Sequence, residues 1–252
     1  MTPMRRPVLA ANWKMHKTQA ETRAFLEKFK PLVAQSNHCE IVVCPPFTSL
    51  GAAVAAARNT NIAIGAQDVF WEKKGAYTGE VTAAMLAEAG CQHVIVGHSE
   101  RRQYFHETDG EVSRKLLAVL SAGLTPIVCV GETLQEREAK ATEAVLARQF
   151  LGACNALTTT QFSRIIVAYE PVWAIGTGQT ATPELAAAAH RFLRQQADER
   201  FGAPAAQELR ILYGGSVKPD NVKGLMAQRE IDGGLVGGAS LEPESFAAIV
   251  NF

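Results

Sequence analysis

The sequence has no excess of charge of either sign and no long apolar run. Its 25 lysine and arginine residues balance 25 aspartate and glutamate residues over 252 positions. A neutral chain creates no overall field that would attract nucleic acid or an anionic membrane, so an anionic ligand needs a local site. No apolar stretch reaches the roughly 20 residues that span a bilayer. We therefore expect neither a nucleic-acid partner nor a membrane.

Cysteine is scarce, and its spacing fits neither disulfides nor a metal site. The chain has five cysteines, at positions 39, 44, 91, 129 and 154, and no Cys-x-x-Cys pair. An odd, scattered set of this kind indicates small buried side chains in a reducing compartment. The first residues, MTPMRRPVLAANWK, also lack the apolar centre of a secretory signal. We predict a cytoplasmic protein that holds no metal.

What the sequence does contain is a regular alternation of two patterns. Apolar, often β-branched runs recur at a spacing of roughly 20 to 45 residues, which is typical of βα units. The eight predicted strands cover residues 8–10, 41–43, 62–64, 93–96, 126–130, 165–167, 210–213 and 234–236. Apolar residues at helical spacing predict helices around residues 25–33, 81–89, 112–120, 185–193 and 246–250, with Pro31 bending or ending the first.

Two architectures fit this alternation: a closed eight-stranded barrel and a doubly wound open sheet. The length is typical of the barrel. Titratable and glycine-rich residues follow five of the predicted strands, and only a barrel would bring all five strand ends around one mouth. We therefore predict an α/β fold with a single (β/α)8 barrel domain over residues 1–252, of which residues 1–6 are a short N-terminal extension.

Glycine pairs follow the last two predicted strands, at residues 214–215 and 237–238. Glycine lets backbone amides approach a ligand closely, and a helix start after each pair favours an anion. One pair alone would fit an ordinary turn equally well. Two pairs after strands 7 and 8 favour a phosphate site, because that is where barrels bind phosphate.

Glu170 stands between a buried strand and an apolar loop, where an unpaired carboxylate is unfavourable. Lys14 and His98 follow other strands, and each alone also fits a structural role, as a solvated lysine or a hydrogen-bonded core histidine. A carboxylate, an imidazole and a lysine beside a phosphate site predict proton transfer on a small phosphorylated carbonyl compound.

Six segments, in order from about residue 7 to the C-terminus, resemble the triosephosphate isomerase family. They are ANWKM (11–15), GAYTGE (75–80), VGHSERR (96–102), AYEPVWAIGTG (168–178), YGGSV (213–217) and GLVGGASL (234–241). The resemblance implies the interconversion of dihydroxyacetone phosphate and glyceraldehyde 3-phosphate in glycolysis and gluconeogenesis, with no cofactor and no metal.

The resemblance also implies roles for single residues. Glu170 would be the base, His98 a neutral electrophile, and Asn12 and Lys14 substrate contacts. The residues implied to bind the phosphate are Gly176, Ser216, Gly237 and Gly238. A homodimer is implied as well, with loop 75–80 inserted beside the partner's Asn12 and the partner's Lys14. We further expect Glu100 to orient Lys14, while Arg101 and Arg102 fit a structural ion-pair cluster equally well.

The apolar loop after Glu170 is predicted to be a lid over residues 171–178. Its residues Val172 to Ile175 are apolar where loops are normally polar, and Pro171 and Gly178 mark its ends. Closed, it would exclude water from a charged intermediate that can otherwise expel phosphate. We expect the apolar stretch to be exposed when the lid is open.

Three other functions are weaker interpretations. A metal-dependent phosphosugar epimerase would need histidine and aspartate ligands at strand ends, where the chain offers only His98. A dinucleotide loop at Gly176-Thr177-Gly178 lacks the third glycine and the acidic residue that follows. A non-catalytic barrel would be distinguished by an assay with glyceraldehyde 3-phosphate.

Overall fold

The computed structural model describes residues 5–175 and 180–252. Eight parallel strands pair in chain order, and β8 pairs with β1 to close a barrel. The strands are β1 Val8–Asn12, β2 Glu40–Cys44, β3 Ile62–Ala66, β4 His93–Val96, β5 Thr125–Val130, β6 Ile166–Tyr169, β7 Arg210–Tyr213 and β8 Gly233–Val236. The predicted (β/α)8 barrel is confirmed, and each predicted apolar run coincides with or overlaps one strand.

Helices connect the strands around the outside of the barrel. In the described residues they are α1 Gln19–Val33, α2 Leu50–Ala57, α3 Ala83–Glu88, α4 Ser99–Tyr104, α5 Asp109–Ser121, α6 Leu134–Glu138, α7 Thr142–Cys154, α8 Thr159–Phe162, α9 Pro183–Phe201, α10 Ala203–Glu208, α11 Val222–Met226 and α12 Pro243–Val250. Helix α1 continues through Pro31 and ends two residues later, at Val33. Nowhere in the described ranges is a helix both long and apolar enough to cross a membrane.

The core has two layers, separated by the strands themselves. Because side chains alternate across a strand, every second residue faces the barrel interior. Val8 and Ala10 of β1, and Ile166 and Ala168 of β6, belong to the inner cluster, while their neighbours pack against the helices. The same alternation carried two residues further directs Asn12 and Glu170 towards the interior, at the carboxyl end of the barrel.

The five cysteines are all free and buried, as predicted. Burial raises the pKa of the Cys39 and Cys91 thiols to about 11 and that of Cys154 to about 12. Thiols with such values are protonated at neutral pH and therefore poor nucleophiles. The cysteines serve as small core residues.

Candidate active site

A cavity of about 280 Å³ opens at the carboxyl end of the barrel. The sequence-predicted residues that the structure brings together around it are Asn12, Lys14, His98, Glu170, Ser216, Gly237 and Gly238. Gly176, also predicted to bind phosphate, lies outside the described residues. Side chains from β1, β4, β6, β7 and β8 therefore meet at one mouth, which is the arrangement that a closed barrel imposes.

Glu170 is buried at the end of β6, with only 2% of its surface exposed. Its Oε1 lies 2.8 Å from His98 Nε2, and its Oε2 accepts a hydrogen bond from the Ser99 N–H at 2.9 Å. Burial raises the pKa of the carboxyl group, but the His98 ring, the Ser99 amide and Lys14 outweigh it and hold the pKa below its ordinary value. Glu170 is thus ionised at neutral pH, as a base must be.

His98 is the N-cap of α4, and this position determines its tautomer. Its Nδ1 accepts a hydrogen bond from the Glu100 N–H at 3.2 Å, so the proton of a neutral ring lies on Nε2. Burial lowers the pKa of His98, whereas the carboxylates of Glu170 and Glu100 raise it, and the net shift is upwards while Glu170 faces the ring. A neutral ring is therefore expected once a substrate oxygen replaces Glu170 at Nε2.

Lys14 is held in a specific conformation beside the cavity. Its φ of 51° lies in the left-handed region, which few residues with a side chain adopt. The Lys14 N–H donates to Asn12 Oδ1 at 3.0 Å, and Gln67 Nε2 donates to the Lys14 carbonyl at 2.9 Å. Its ammonium lies 2.6 Å from Glu100 Oε1. Glu100 therefore orients Lys14, as expected.

The two glycine pairs differ in how much space surrounds them. A side chain on Gly237 would meet only the end of Lys14, at 3.5 Å, and one on Gly238 would meet nothing within 4 Å. This pair leaves bare backbone facing the cavity. A side chain on Gly215 would instead lie 2.2 Å from the Tyr213 hydroxyl. Gly215 is thus required by the packing of Tyr213 as well as by any ligand.

A sequence model of the family described as triosephosphate isomerase matches residues 7–252. The chain belongs to the triosephosphate isomerase family. It is 65% identical to the triosephosphate isomerase of Solibacter usitatus, over 99% of this chain and 100% of the relative. It is 55% identical to the triosephosphate isomerase of Pelobacter propionicus, over 99% of this chain and 99% of the relative.

A solved structure supports the same assignment. The crystal structure of triosephosphate isomerase from Bartonella henselae matches with a TM-score of 0.88 at 40% identity, over 98% of each chain. Family membership confirms the reaction that the sequence predicted, the interconversion of dihydroxyacetone phosphate and glyceraldehyde 3-phosphate. The protein is an intramolecular isomerase.

In this isomerase Glu170 lies between two glycines. A side chain on Gly131, after β5, would lie 1.7 Å from the Glu170 carbonyl oxygen, and one on Gly214, after β7, would lie 2.8 Å from Glu170 Cγ. Both contacts are too short for any other residue. Sequence reasoning found Gly214 but missed Gly131, because a single glycine after a strand is typical of an ordinary turn.

The first half of the predicted lid is partly a core element. Trp173 and Ala174 are buried, and Trp173 Nε1 donates to Glu132 Oε1 at 2.9 Å. The Arg137 guanidinium lies 4.3 Å from the centre of the Trp173 ring. The expectation that the whole apolar stretch is exposed is therefore wrong for Trp173 and Ala174. Ile175 is half-buried and lines the cavity, and the predicted lid end at Gly178 lies outside the described residues.

The arginines after Glu100 form a structural cluster behind the site. Arg101 Nε lies 3.0 Å from an oxygen of Asp68, and Arg102 Nε donates to the Gly97 carbonyl at 2.8 Å. The ion-pair cluster that the sequence analysis left open as one role for Arg101 and Arg102 is therefore the one that the structure supports. Among the described residues, no three histidine, cysteine, aspartate or glutamate side chains are grouped as metal ligands would be.

Sequence reasoning assigned no site role to four cavity-lining residues: Val217, Lys218, Leu235 and Ala239. Lys218 and Leu235 line the cavity beside Ser216 and Ile175. Lys218 is a solvent-exposed lysine beyond the glycine pair, and nothing in its sequence context distinguishes it from other surface lysines. Leu235 has the sequence context of an ordinary strand residue. Only the closed barrel shows that it lines the cavity.

Proposed function

We propose that Glu170 is the base and His98 the electrophile of the isomerisation. The observation that carries this assignment is the ionised Glu170 carboxylate, buried at the cavity and in contact with the proton-bearing Nε2 of His98. Glu170 removes a proton from one carbon of the triose and returns it to the neighbouring carbon. The enediolate formed between these steps carries negative charge on two oxygens, which the Nε2–H of His98 stabilises by donating to them.

Substrate binding requires Glu170 to change partners. The carboxylate now faces the His98 Nε2–H, which the substrate oxygens must reach, and it also holds the Ser99 amide. Entry of substrate therefore turns the carboxylate from His98 and Ser99 towards the substrate carbons. Gly214 carries no side chain that would press on Glu170 Cγ, so the carboxylate can turn on that side, while Gly131 packs against the Glu170 backbone.

Lys14 and Asn12 supply the remaining contacts to the reacting end of the substrate. The Lys14 ammonium offsets negative charge on the substrate and the intermediate. Asn12 Oδ1 holds the Lys14 N–H, so Asn12 also supports the unusual backbone of Lys14. Glu100 pairs with Lys14 and prevents its ammonium from turning into solvent.

The phosphate binds at the ends of β7 and β8. The cavity is lined here by the bare backbone of Gly237 and Gly238 and by Ser216. Lys218, which also lines it, adds a positive charge. The Gly176 amide belongs to the same set by resemblance. Anions bind well to such groups of backbone N–H donors. Closure of the lid on the phosphate would then exclude water from the enediolate.

We also propose a cytoplasmic homodimer whose subunit is one domain over residues 1–252. The dimer is supported by two exposed apolar side chains, Met15 next to Lys14 in the sequence and Tyr77 in loop 75–80, which are 94% and 46% exposed. Arg5 of the N-terminal extension pairs with Asp232 at 2.6 Å, which supports assigning the extension to the same domain.

The assignment of the base is tested by Glu170→Gln, which keeps the shape of the side chain and removes its basicity. We expect turnover to fall by at least about 10²- to 10⁴-fold, the usual effect of losing a general acid–base group. Binding of glycerol 3-phosphate should change much less, because the phosphate contacts remain. Glu208→Gln, an exposed glutamate on α10, is the control. Near-normal turnover in Glu170→Gln would refute the assignment.

A further inference from the structure

The segment after β5 forms a support beneath Glu170. Strand β4 ends at Val96, opposite Val128, so β5 runs on beside β6 alone. The Glu170 N–H donates to the Val130 carbonyl at 2.8 Å, and the Val172 N–H donates to the Glu132 carbonyl at 3.0 Å. Residues 130 and 132 thus bind the backbone on both sides of the base.

Gly131, between them, directs its own N–H and carbonyl away from β6. Backbone groups in successive residues of a strand point to opposite sides, so those of Gly131 face the side where β4 has already ended. Here the amide of Gln149 takes the place of the missing strand. Its Oε1 accepts the Gly131 N–H at 2.7 Å, and its Nε2 donates to the Gly131 carbonyl at 3.1 Å.

Gln149 is well placed to hold this segment still. It lies on α7, a 13-residue helix that packs on β5, and only 5% of it is exposed. Two hydrogen bonds from one planar amide fix the position and the rotation of the Gly131 peptide groups. Gly131 in turn abuts the Glu170 carbonyl so closely that no side chain could fit between them.

A cavity shows where the segment would go without this support. A space of about 410 Å³ lies beside it, lined by Gly97, Ser99, Gly131, Gln149, Glu170 and Val172 among others. Close packing would hold the Gly131 segment in place without Gln149, but this space leaves it room to shift. Any such shift would move the backbone of Glu170 with it.

We propose that Gln149 is a positioning residue for the catalytic base. It holds Gly131 through its side-chain amide, and Gly131 sets the place of the Glu170 backbone. The inference rests on the proposed role of Glu170 as the base. It predicts that loss of the Gln149 amide lowers kcat, while the phosphate contacts and KM remain nearly as they are.

The test is Gln149→Leu, which nearly keeps the side-chain volume and removes both hydrogen bonds. We expect kcat to fall by about 10- to 100-fold, the effect of misplacing a catalytic group by about 1 Å, with KM altered by less than about threefold. Gln149→Glu, which keeps an acceptor for the Gly131 N–H but sets an oxygen against the Gly131 carbonyl, should also lower kcat. Gln103→Leu is the control, because Gln103 lines the same cavity from α4 without bonding Gly131.

A double variant separates this inference from the assignment of the base. If Gln149 acts through Glu170, then Gln149→Leu should cost far less activity in a Glu170→Gln background than in the parent. A Gln149→Leu protein that melts at a lower temperature but keeps its kcat well below that temperature would overturn the inference. If Gln149→Leu fails to fold, the same comparison is made with Gln149→Glu, alone and combined with Glu170→Gln. Near-normal turnover in Glu170→Gln alone would refute the base instead.

Discussion

At the scale of single residues, the hydrogen bond from the Glu100 N–H to His98 Nδ1 defines the chemistry of the ring. A proton on Nδ1 would face that N–H, so the ring favours the form protonated on Nε2 alone once the Glu170 carboxylate has turned away. The start of α4 adds to this preference, because a helix N-terminus disfavours a cation. Sequence position predicted a neutral ring, but only the structure shows which nitrogen carries the proton.

The prediction concerns the ring of His98 in a complex with glycerol 3-phosphate. We expect its nitrogen chemical shifts to show a neutral ring, protonated on Nε2, from about pH 6 to pH 9. In the free protein the facing Glu170 carboxylate raises the pKa of the ring, so the free and bound forms should differ. A ring that titrates in the complex near its ordinary value of about 6.5 would contradict this prediction.

A second histidine makes the stability of the protein depend on pH. His190 on α9 is fully buried, and its Nδ1 lies 3.0 Å from the Glu230 carbonyl oxygen. Burial lowers its pKa to about 3. The unfolded chain therefore binds a proton at this residue below about pH 6.5, whereas the folded protein does not until about pH 3. The resulting stability is full above the unfolded pKa and is lost as the pH falls towards the folded pKa.

Removing this titration should flatten the pH profile of stability. Between pH 7 and pH 4.5 we expect His190 to reduce the free energy of unfolding by about 2.5 kcal/mol, a loss that His190→Gln should not show. The control is His106→Asn at an exposed position with a φ of 56°, which asparagine tolerates. Urea unfolding at one fixed protein concentration measures the difference. Parallel pH profiles for His190→Gln and the parent would mean that His190 is not the group responsible.

At the scale of elements, strands were easier to predict than helices. Parallel strands covered on both faces are almost continuously apolar, so all eight stood out. Helix α7 was missed, since small and polar residues such as Gln149 and Gly152 interrupt its apolar stripe. The residues that follow strands were recognised because a carboxylate or a glycine pair is unusual there. The contact between the Gln149 side-chain amide and the Gly131 backbone joins residues 18 positions apart and leaves no pattern in the sequence.

For the predicted lid, the structure gives a different reason for the apolar residues than the sequence did. Trp173 and Ala174 are apolar because they are already packed in the core, so deleting them would damage the fold as well as the lid. Ile175 is the described residue of the predicted lid that lines the cavity, as does Leu235 of β8. The water-excluding role predicted for the loop therefore falls on Ile175 within the described part of the lid.

Replacing Ile175 with Ser tests this role. A polar side chain admits water beside the enediolate, which then expels phosphate more often before it is protonated. We expect Ile175→Ser to isomerise more slowly and to convert a larger fraction of substrate to methylglyoxal and free phosphate. Leu185→Ser, an exposed leucine on α9, is the control. An unchanged ratio of methylglyoxal to isomer, at a lower rate, would mean that Ile175 positions groups without protecting the intermediate.

At the scale of the whole molecule, the exposed apolar residues bear on assembly. Exposed apolar side chains follow three neighbouring strands: Met15 after β1, Phe47 after β2 and Tyr77 after β3. The Tyr77 ring packs on the Phe70 ring at an interplanar angle of 44°, with ring centres 4.6 Å apart, although 46% of Tyr77 is exposed. The proposed dimer would cover these side chains, because contiguous exposed apolar surface marks sites of protein association. Met15 is also the sequence neighbour of Lys14, so we expect a partner that covers Met15 to restrain Lys14 as well.

The proposed dimer makes catalytic activity depend on assembly. Sedimentation at micromolar concentration should show a dimer, and Tyr77→Asp should shift it towards monomer, because a charge in an apolar interface has no partner there. We expect kcat to fall with the dimer fraction, since Lys14 adopts an unusual φ and loses its cover when Met15 returns to water. Leu185→Asp, at an exposed apolar residue on α9, should leave both assembly and activity unchanged. A fully active monomer would refute both the interface and its support of Lys14, and Tyr77→Asp monomers with full kcat would refute the support alone.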